Sequence, residues 1–532
     1  MQEPSSLVSF GWTNGDNEKL VTLPPGQEVV EEKIEKPEKE SGIENDKARD
    51  RINKAFIDAG LLLSNLALEK ILTEQLGYDR LVDLAKEKSV FMVTKEFIEE
   101  FFQEEKTDQE FSFVIRKGKP ARAAHIEPKF LIHSEDDITG KSTSSGTIEN
   151  FTELFRDRYR RLKDVLMERV MLKDVIDIED VKRYDGREVK IIGMIRDIRE
   201  SKKGNLLLEL EDTTGTVLVV GINELKEKGT ILVKDEVVGV VGVAKNGIII
   251  AKEILEPDIP TTKRQPECDE PVSVAFLSDI HVGSLLFMER EFQRFIDWLN
   301  LQNPGEQKDI AQGIKYLLLA GDLVDGIGIY PGQETELAIP DIYKQYGYLS
   351  KLLEQIPEYI EVILSVGNHD AVRRCEPQPS LNGFMDTLKD RPNFHFVGNP
   401  CRVNLHGFEV LMYHGTSMDA MISSMSQLSY REPEKAQIEY LKKRHLSPIY
   451  GAQEQIAPEE RDYMVIDSVP DIFHCGHVHK NGYANYRGVL IVNSGTWQAQ
   501  TDYQQQQGHM PTPCKLPVLD LRNFQMKVVN FA

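Results

Sequence analysis

The spacing of hydrophobic and polar positions changes along the chain, and these changes divide it into five segments. Residues 1–47 lack a periodic apolar pattern and mix acidic with basic side chains, which predicts a disordered tail. Residues 48–105 place apolar side chains at helical spacings, which predicts a helical interaction domain. Residues 106–175 read as a linker followed by one amphipathic helix. Short alternating runs over 176–262 predict a β-barrel domain, and 263–532 alternates apolar strands with helical segments.

The helix predicted within the third segment is locally basic. Its apolar stripe fits one buried face, and two interpretations of the charges stay open. The charges form a solvated helix face, or they contact DNA or an acidic partner. The residues concerned are Arg156, Arg158, Arg160, Arg161 and Lys163.

The barrel segment contains five short strands in about 80 residues, a number typical of OB-fold barrels. Asn246-Gly247 is a strong hairpin turn between two of these strands. OB barrels that bind single-stranded nucleic acid use aromatic platforms. Because residues 190–260 are nearly free of aromatics, we expect a structural or protein-binding role, with direct DNA contact as the alternative.

The final segment predicts an α/β fold in which two sheets are flanked by helices. Apolar runs that read as strands alternate with amphipathic stretches typical of helices. The helix candidates are residues 289–300, 342–356 and 382–390.

Composition limits the function classes. The net charge of −22 over 532 residues argues against a protein that coats nucleic acid by bulk charge. Five cysteines without a Cys-x-x-Cys pair indicate neither a disulfide framework nor a zinc ribbon. No apolar run approaches about 18 residues, and the N-terminal residues lack the basic and apolar pattern of a secretory signal, so we expect a cytoplasmic protein without a membrane partner.

Candidate chemistry begins where the apolar run 272–278 ends, at Asp279-Ile280-His281. Side chains two residues apart on an extended backbone point the same way, so Asp279 and His281 can share one ligand. In open α/β sheets, ligands bind beyond the carboxyl ends of the strands. By itself an Asp-x-His pair is a weak signal.

The same arrangement, an apolar strand followed by metal-competent side chains, recurs four more times. A single such motif is more often a turn or a core residue, but five in series predict a metal site. Asp, Asn and His together suit Mn²⁺, Fe²⁺ or Zn²⁺, and the thiolates of a structural zinc site are absent from these motifs. The further motifs supply Asp322; Asn368, His369 and Asp370; His414; and His477 with His479.

In order, the motifs DIH, GDLVDG, GNHD, YHG and GHVH resemble the signature of the calcineurin-like metallophosphoesterases over about 272–500. The resemblance implies an α/β two-sheet sandwich and a centre of two divalent metal ions, with Mn²⁺ as the first choice and Fe²⁺ or Zn²⁺ as alternatives. His369 corresponds to the family's catalytic histidine, which is not a ligand. By motif position, one ion would be held by Asp279, His281, Asp322 and His479, and the other by Asp322, Asn368, His414 and His477.

An OB-type barrel and a helical extension ahead of such a domain resemble the small subunits of archaeal DNA polymerase D and, more distantly, the B-subunits of eukaryotic replicative polymerases. In the eukaryotic subunits the ligands are largely lost, whereas every ligand position is filled here. The resemblance implies a 3′–5′ proofreading exonuclease that acts on single-stranded DNA or a primer 3′ end. It also implies a heterodimer or larger complex with the large catalytic subunit of DNA polymerase D, and contacts of the N-terminal region with a sliding clamp or primase.

The implied mechanism is two-metal hydrolysis, in which an activated water displaces the 3′-oxygen of the penultimate nucleotide. His369, expected near Asp370, would donate a proton to this oxygen or stabilise the charged transition state. For Asp370 itself we expect an orienting or capping role. Arg373 and Arg374 are interpreted as contacts to the DNA backbone, with a surface salt bridge as the alternative, and the loop 326–336 would lie over the cleft.

Two other functions remain open. One is a stand-alone metallophosphoesterase acting on nucleotides or phosphoproteins, against which the barrel and the helical segment argue. The other is a non-catalytic polymerase scaffold subunit, against which the complete ligand set argues.

Overall fold

The computed structural model describes residues 121–532 except 262, 303 and 453, together with part of the segment 52–98. The predicted tail over residues 1–47 lies outside the described residues, so its disorder stays a prediction. The chain divides into two compact units, Met1–Phe111 and Ser112–Ala532.

The described part of the first unit combines helix with a small sheet that the sequence pattern did not predict. Strands β1 (Leu62–Leu63) and β2 (Met92–Val93) pair in parallel, and helix α1 spans Asn65–Thr73. Helix α1 begins after Ser64. The Ser64 hydroxyl accepts a hydrogen bond from the backbone N–H of Ala67, as helix-capping residues do, so the strand β1 ends there and the helix starts. The core of this unit includes Phe56, which is fully buried.

The second unit begins with a segment that we predicted to be an irregular linker, and part of it is instead a strand. Strand β3 (Phe130–Ile132) pairs with Val403–Leu405 at the edge of a larger sheet. Helix α2 (Ile148–Met167) follows, and Thr147 caps it in the region where a helix was predicted.

The arginines of α2 divide into two pairs. Arg156 and Arg160 are exposed, as the interpretation of a solvated face expects, whereas Arg158 and Arg161 contact acidic residues of the same chain. Arg158 is fully buried and donates to Asp462, so it contacts neither solvent nor DNA. The reason lies in the spacing, because Leu154, Arg158 and Leu162 follow one another at intervals of four residues on the buried face. Arg161 pairs with Asp467, so the acidic partner of this helix lies within the same chain.

A closed five-stranded barrel follows, in the strand order β4-β5-β6-β8-β7. Alternate residues of its strands, such as Leu206, Leu208 and Leu210, point into one hydrophobic core, as the alternating pattern predicted. The five predicted strands are confirmed. They are β4 (Glu188–Glu200), β5 (Leu206–Glu211), β6 (Thr216–Gly221), β7 (Val237–Lys245) and β8 (Ile248–Leu255).

The rest of the second unit contains strands of two six-stranded mixed sheets and short to medium helices. The strands are β9 (Ser273–Leu277), β10 (Ile314–Ala320), β11 (Glu361–Ser365), β12 (Phe394–Phe396), β13 (Cys401–Leu405), β14 (Phe408–Met412), β15 (Ile472–Cys475), β16 (Asn481–Tyr486), β17 (Val489–Ser494), β18 (Lys515–Asp520) and β19 (Gln525–Asn530). The helices are α3 (Glu289–Leu299), α4 (Lys308–Ala311), α5 (Ile342–Leu353), α6 (Asp386–Lys389), α7 (Met418–Ser424), α8 (Pro433–Lys443) and α9 (Asp502–Gln506).

The first sheet has the order β12-β11-β10-β9-β18-β19 and the second β16-β17-β15-β14-β13-β3. The two sheets share a hydrophobic core to which Phe276 and Tyr316 contribute from the first, and Val410 and Val492 from the second. Helices α3 and α5 cover the first sheet, and α7 and α8 pack with the second. The prediction of two sheets with helices, preceded by a barrel, is therefore confirmed at this level. Among the described residues, no helix is both long and apolar enough to cross a bilayer.

Candidate metal centre

Five strands deliver the predicted ligands to one place. Strands β9, β10 and β11 are parallel neighbours in the first sheet, and β14 and β15 are parallel neighbours in the second. Parallel strands end at the same edge of their sheet, so the loops that follow them lie side by side. Each of the five motifs begins within three residues of the end of one of these strands. The structure thereby brings together side chains separated by as many as 200 positions.

The first group consists of Asp279, His281 and His479, all buried. Nε2 of His281 lies 3.0 Å from Nε2 of His479, and Nε2 of His479 lies 3.4 Å from Oδ1 of Asp279. Asp322 approaches the same group, with its Oδ2 3.8 Å from Nε2 of His281. These are the four residues predicted to hold one ion.

The second group consists of Asp322, His414 and His477, with Asn368 beside them. Nε2 of His414 lies 3.2 Å from Oδ2 of Asp322 and 3.0 Å from Oδ1 of Asn368. Asp322 therefore contacts both groups through one carboxylate, as a bridging ligand would. All seven predicted ligands lie in one cluster.

The backbone is strained at this cluster. Asp279, His281, Asp322, His477 and His479, five of the seven predicted ligands, have φ between 50° and 69°. This left-handed region is uncommon for residues other than glycine, and where it occurs it often marks a functional site.

Two glycines leave room for the carboxylates. A Cβ added at Gly367 would lie 2.3 Å from Oδ1 of Asp322, and one at Gly476 would lie 2.5 Å from Oδ2 of Asp279. Side chains at either position would displace a predicted ligand. The chain is therefore shaped closely around these two carboxylates.

Each histidine of the cluster has its second ring nitrogen fixed by a neighbour. Nδ1 of His281 donates to Asp325 at 3.0 Å, and Nδ1 of His414 donates to the carbonyl of Ala320 at 2.7 Å. Such partners orient metal-binding imidazoles and leave the other nitrogen free for the ion. His477 uses Nε2 toward Asp419 at 3.2 Å, and the side-chain amide of Gln504 lies 2.8 Å from Nδ1 of His479.

The donor set fits divalent cations, because buried carboxylate oxygens and imidazole nitrogens converge with their outer partners satisfied. Sequence reasoning did not single out the orienting residues. Asp325 is the last acidic residue of the motif GDLVDG and could have been noticed by its spacing from Asp322. Asp419 and Gln504 carry no such signal, because they reach the histidines only through the fold.

The pKa values of the cluster are shifted because carboxylates and imidazoles lie close together in a buried place. Burial alone would raise the pKa of Asp322, but His414 and His369 lower it well below its usual value. Burial opposes protonation of His414, yet Asp322 raises the pKa of this histidine to about 10. In contrast, burial lowers the pKa of His479 to about 4. The pKa values of neighbouring imidazoles are thus shifted in opposite directions, because the carboxylates and burial act on them unequally.

His369 lies against this cluster, and its hydrogen bonds go to Asp322 and Asp325 rather than to Asp370. Its backbone N–H donates to Oδ1 of Asp322 at 2.9 Å, and its ring Nδ1 donates to the carbonyl of Asp325 at 2.7 Å. His369 was expected near Asp370, but its ring contacts Asp325 instead. Asp370 instead accepts hydrogen bonds from the N–H of Gly367 and the hydroxyl of Tyr346, which matches the orienting role expected for it.

The two arginines after the GNHD motif differ. Arg373 forms an ion pair with Glu459 at 2.9 Å and donates to Ser142, so it has the salt bridge that we considered as the alternative to DNA contact. Arg374 is exposed and donates to the carbonyl of Gly328, in the loop that we expected over the cleft.

Comparisons with known proteins agree on one family. The family model of the DNA polymerase alpha/epsilon B-subunit matches residues 274–483. The DNA polymerase II small subunit of Methanocaldococcus jannaschii is 44% identical over 407 residues, covering 75% of this chain and 68% of its own. The corresponding subunit of Archaeoglobus fulgidus is 40% identical over 474 residues, covering 88% and 95%. That of Methanothermobacter thermautotrophicus is 38% identical over 491 residues, covering 88% and 99%.

Among solved structures, an archaeal phosphodiesterase aligns with 48% of this chain and 99% of its own at 13% identity and a TM-score of 0.25. A similarity this weak does not bear on the function.

Proposed function

The chain belongs to the family of the archaeal DNA polymerase II small subunits, and from this premise we propose that it is the 3′–5′ proofreading exonuclease of a heteromeric replicative DNA polymerase. One observation carries the catalytic part of the proposal. The seven predicted ligands, drawn from five separate strand ends, lie in one cluster of buried and half-buried side chains with His369 against it. A scaffold subunit has no need for such a cluster.

The residues divide into proposed metal ligands and one proposed catalytic residue, His369. Asp279, His281 and His479 would hold one divalent cation, and Asn368, His414 and His477 would hold a second, with Asp322 shared. Mn²⁺ is the first candidate, and Fe²⁺ and Zn²⁺ are alternatives, since the donors mix oxygen and nitrogen. When bound, two such cations activate a water molecule and neutralise the charge of a phosphodiester.

His369 would act on the leaving group. Because its Nδ1 donates to the carbonyl of Asp325, the ring is fixed and Nε2 is the nitrogen that remains for the substrate. We assign Nε2 to the 3′-oxygen of the penultimate nucleotide, where it would donate a proton or stabilise the developing charge. Arg374, the more exposed of the two arginines, would contact the DNA backbone, and Arg373 would support it through its ion pair with Glu459.

The other parts of the chain would serve the polymerase assembly. The large catalytic subunit is the proposed partner, with the five-stranded barrel, of OB type, as a protein-binding or structural domain. The N-terminal region would contact a sliding clamp or primase. Family membership supports the pairing with a catalytic subunit, and the clamp or primase contact is what the resemblance to this family implies.

The decisive experiment compares His369→Ala with wild type on a 3′-mismatched primer–template and on single-stranded DNA, with Mn²⁺ or with chelator. We expect stepwise 3′ shortening by wild type with Mn²⁺ only. The variant should lose at least about 100-fold in rate, as removal of a general acid does. Its Mn²⁺ binding should persist, since His369 is not a predicted ligand. His125→Ala, at an exposed histidine outside the cluster, is the matched control.

Three outcomes would contradict parts of this proposal. Cleavage by His369→Ala at the wild-type rate would remove its catalytic role. Wild-type activity on small phosphoesters alone would favour a stand-alone phosphoesterase. No wild-type activity on any phosphoester would favour a scaffold subunit.

A further inference from the structure

A short segment after the last motif supplies none of the predicted ligands, yet it contacts two of the ligand motifs. This bridging segment, residues 493–497, covers the last two residues of strand β17 in the second sheet and continues to Trp497. Trp497 is buried and packs on Phe292 and Phe295 of helix α3, with ring centroids 5.1 and 5.2 Å apart. Both ends of the bridging segment are therefore held by the fold.

Its main contacts go to Asp279, the first predicted ligand. The side-chain hydroxyl of Thr496 and the backbone N–H of Trp497 both donate to the carbonyl oxygen of Asp279, each at 2.9 Å. The same hydroxyl accepts a hydrogen bond from the N–H of Gln498 at 3.0 Å. Thr496 is only 1% exposed, and a buried hydroxyl costs free energy unless it is paired. Here the group that it pairs with is the backbone of a predicted ligand.

Asp279 needs such support because its backbone is left-handed, with a φ of 52°. Residues other than glycine persist in this region when the surrounding contacts over-determine them. Besides its carbonyl, the N–H of Asp279 donates to the carbonyl of Gly321 at 3.0 Å, and its carboxylate accepts from the N–H of His477 at 2.9 Å. Among these donors to Asp279, Thr496 acts through its side chain, so a substitution removes its contribution without altering the backbone.

The bridging segment reaches the GHVH motif as well. The side-chain amide of Asn493, which is fully buried, donates to the carbonyl of Gly476 at 2.7 Å. The hydroxyl of Ser494 lies 2.6 Å from that of Ser278, the residue before the DIH motif. The bridging segment therefore ties the backbone of DIH, at the end of a strand of the first sheet, to that of GHVH, at the end of a strand of the second. These two motifs supply all three residues of the first group.

We propose that Thr496 is a positioning residue for the first group of the candidate metal centre. By fixing the carbonyl of Asp279, its hydroxyl sets the direction of the Asp279 carboxylate and so the affinity of this group for a divalent cation. The inference rests on the proposed two-metal function and deepens it. Residues that orient a ligand from outside contribute about 10- to 100-fold to metal affinity. Because Asp279 belongs to the first group alone, the second group is independent of Thr496.

The test is a calorimetric titration of the full chain with Mn²⁺, in which wild type should show two sites. Thr496→Val keeps the shape of the side chain and removes the hydroxyl. It should weaken one site about 10- to 100-fold and leave the other unchanged, whereas Thr496→Ser, which keeps the hydroxyl, should bind like wild type. Tyr159→Phe is the matched control, because it removes a buried hydroxyl that donates to the carbonyl of Ile192 at 3.0 Å, between helix α2 and strand β4.

Two further variants identify the site that is affected. His414→Ala removes a predicted ligand of the second group, and in this background Thr496→Val should still weaken the remaining site. His281→Ala damages the first group, and in this background Thr496→Val should change nothing further.

Wild-type affinity at both sites in Thr496→Val would overturn the positioning role, as would equal weakening of both sites or an equal loss in Tyr159→Phe. Failure of the exonuclease proposal gives a different result. Wild type would then bind both ions and leave mismatched 3′ ends intact, and the role of Thr496 would stand or fall on the titration alone. A wild-type chain that binds no ion would remove the inference together with its premise.

Discussion

Two buried clusters of basic and acidic side chains lie in the second unit, and they differ in how these side chains are paired. In the first, around α2 and α8, each arginine, lysine or histidine side chain meets a carboxylate. Arg158 contacts Asp462 at 2.8 Å, His445 contacts the same carboxylate at 2.9 Å, and Lys443 contacts Glu236 at 2.6 Å. We call these residues the docking cluster, since they join helix α2 and the barrel segment to the two-sheet region.

The candidate metal centre differs in kind. There, imidazole nitrogens of His281 and His479 face each other at 3.0 Å, and the carboxylates of Asp279 and Asp322 approach the same nitrogens. The backbone is left-handed at five of the seven predicted ligands. The comparison teaches that burial of charge does not by itself indicate a functional site. The indication comes from several imidazole nitrogens and carboxylate oxygens that converge on a strained backbone, where a bound cation would hold them together.

Of the changes that distinguish the two clusters, Asp322→Asn should have the largest effect, which is on the rate of DNA cleavage. This residue contacts both groups of the centre, so the change should lower DNA cleavage by about 10³-fold, given that metal ions contribute several kcal/mol to such reactions. Folding should persist. The measurement is the rate of 3′ shortening, with Asp386→Asn, at a mostly exposed aspartate, as control. A rate within a few-fold of wild type would show that the cluster is structural like its counterpart.

The contrast also explains how far the sequence could lead. Asp279 and Asp322 were predictable because a buried strand is a local pattern and its carboxyl end is a general ligand position. Asp419 and Gln504 were not predictable, since they reach His477 and His479 from other elements. The closed barrel was visible in its alternating strands.

Two further predictions were wrong, for different reasons. Strand β3 lies in a segment that we predicted to be a linker, because a three-residue edge strand gains its stability from β13 rather than from its own pattern. Arg158 was placed outside because its charge was weighed without the spacing that puts it between Leu154 and Leu162. Local pattern predicts elements and motifs, whereas partners distant in sequence require the fold.

The next effect concerns the docking cluster. Arg158→Leu should lower the free energy of unfolding by about 3–5 kcal/mol, because Asp462 would remain buried without its arginine. Arg156→Leu, two residues away with an exposed side chain, should change it by less than about 1 kcal/mol. Chemical denaturation measures both. Similar values for the two variants would refute the structural role of the cluster.

A smaller effect should appear in the pH dependence of stability. Burial, together with Arg158 and Arg161, lowers the pKa of His445 to about 4, although Asp462 opposes the shift. The unfolded chain, with a usual histidine pKa near 6.5, therefore binds a proton more readily between about pH 6.5 and 4. This histidine stabilises the folded state above pH 6.5, and the contribution is lost as pH falls toward 4.

His445→Gln should remove that contribution. Between pH 7 and pH 5 the wild-type free energy of unfolding should fall by about 1–2 kcal/mol more than that of the variant. Paired denaturation curves at the two pH values give the difference. An equal fall in both proteins would mean that His445 takes up its proton normally in the folded state.

The most direct test of the central claim, that five strand ends build one metal centre, is a calorimetric titration of the full chain with Mn²⁺ at neutral pH. The account predicts two ions bound per chain in wild type, with at least one site lost in Asp322→Asn while the Arg156→Leu variant titrates like wild type. No binding of Mn²⁺, Fe²⁺ or Zn²⁺ by the folded wild-type chain, or binding that Asp322→Asn leaves unchanged, would contradict it.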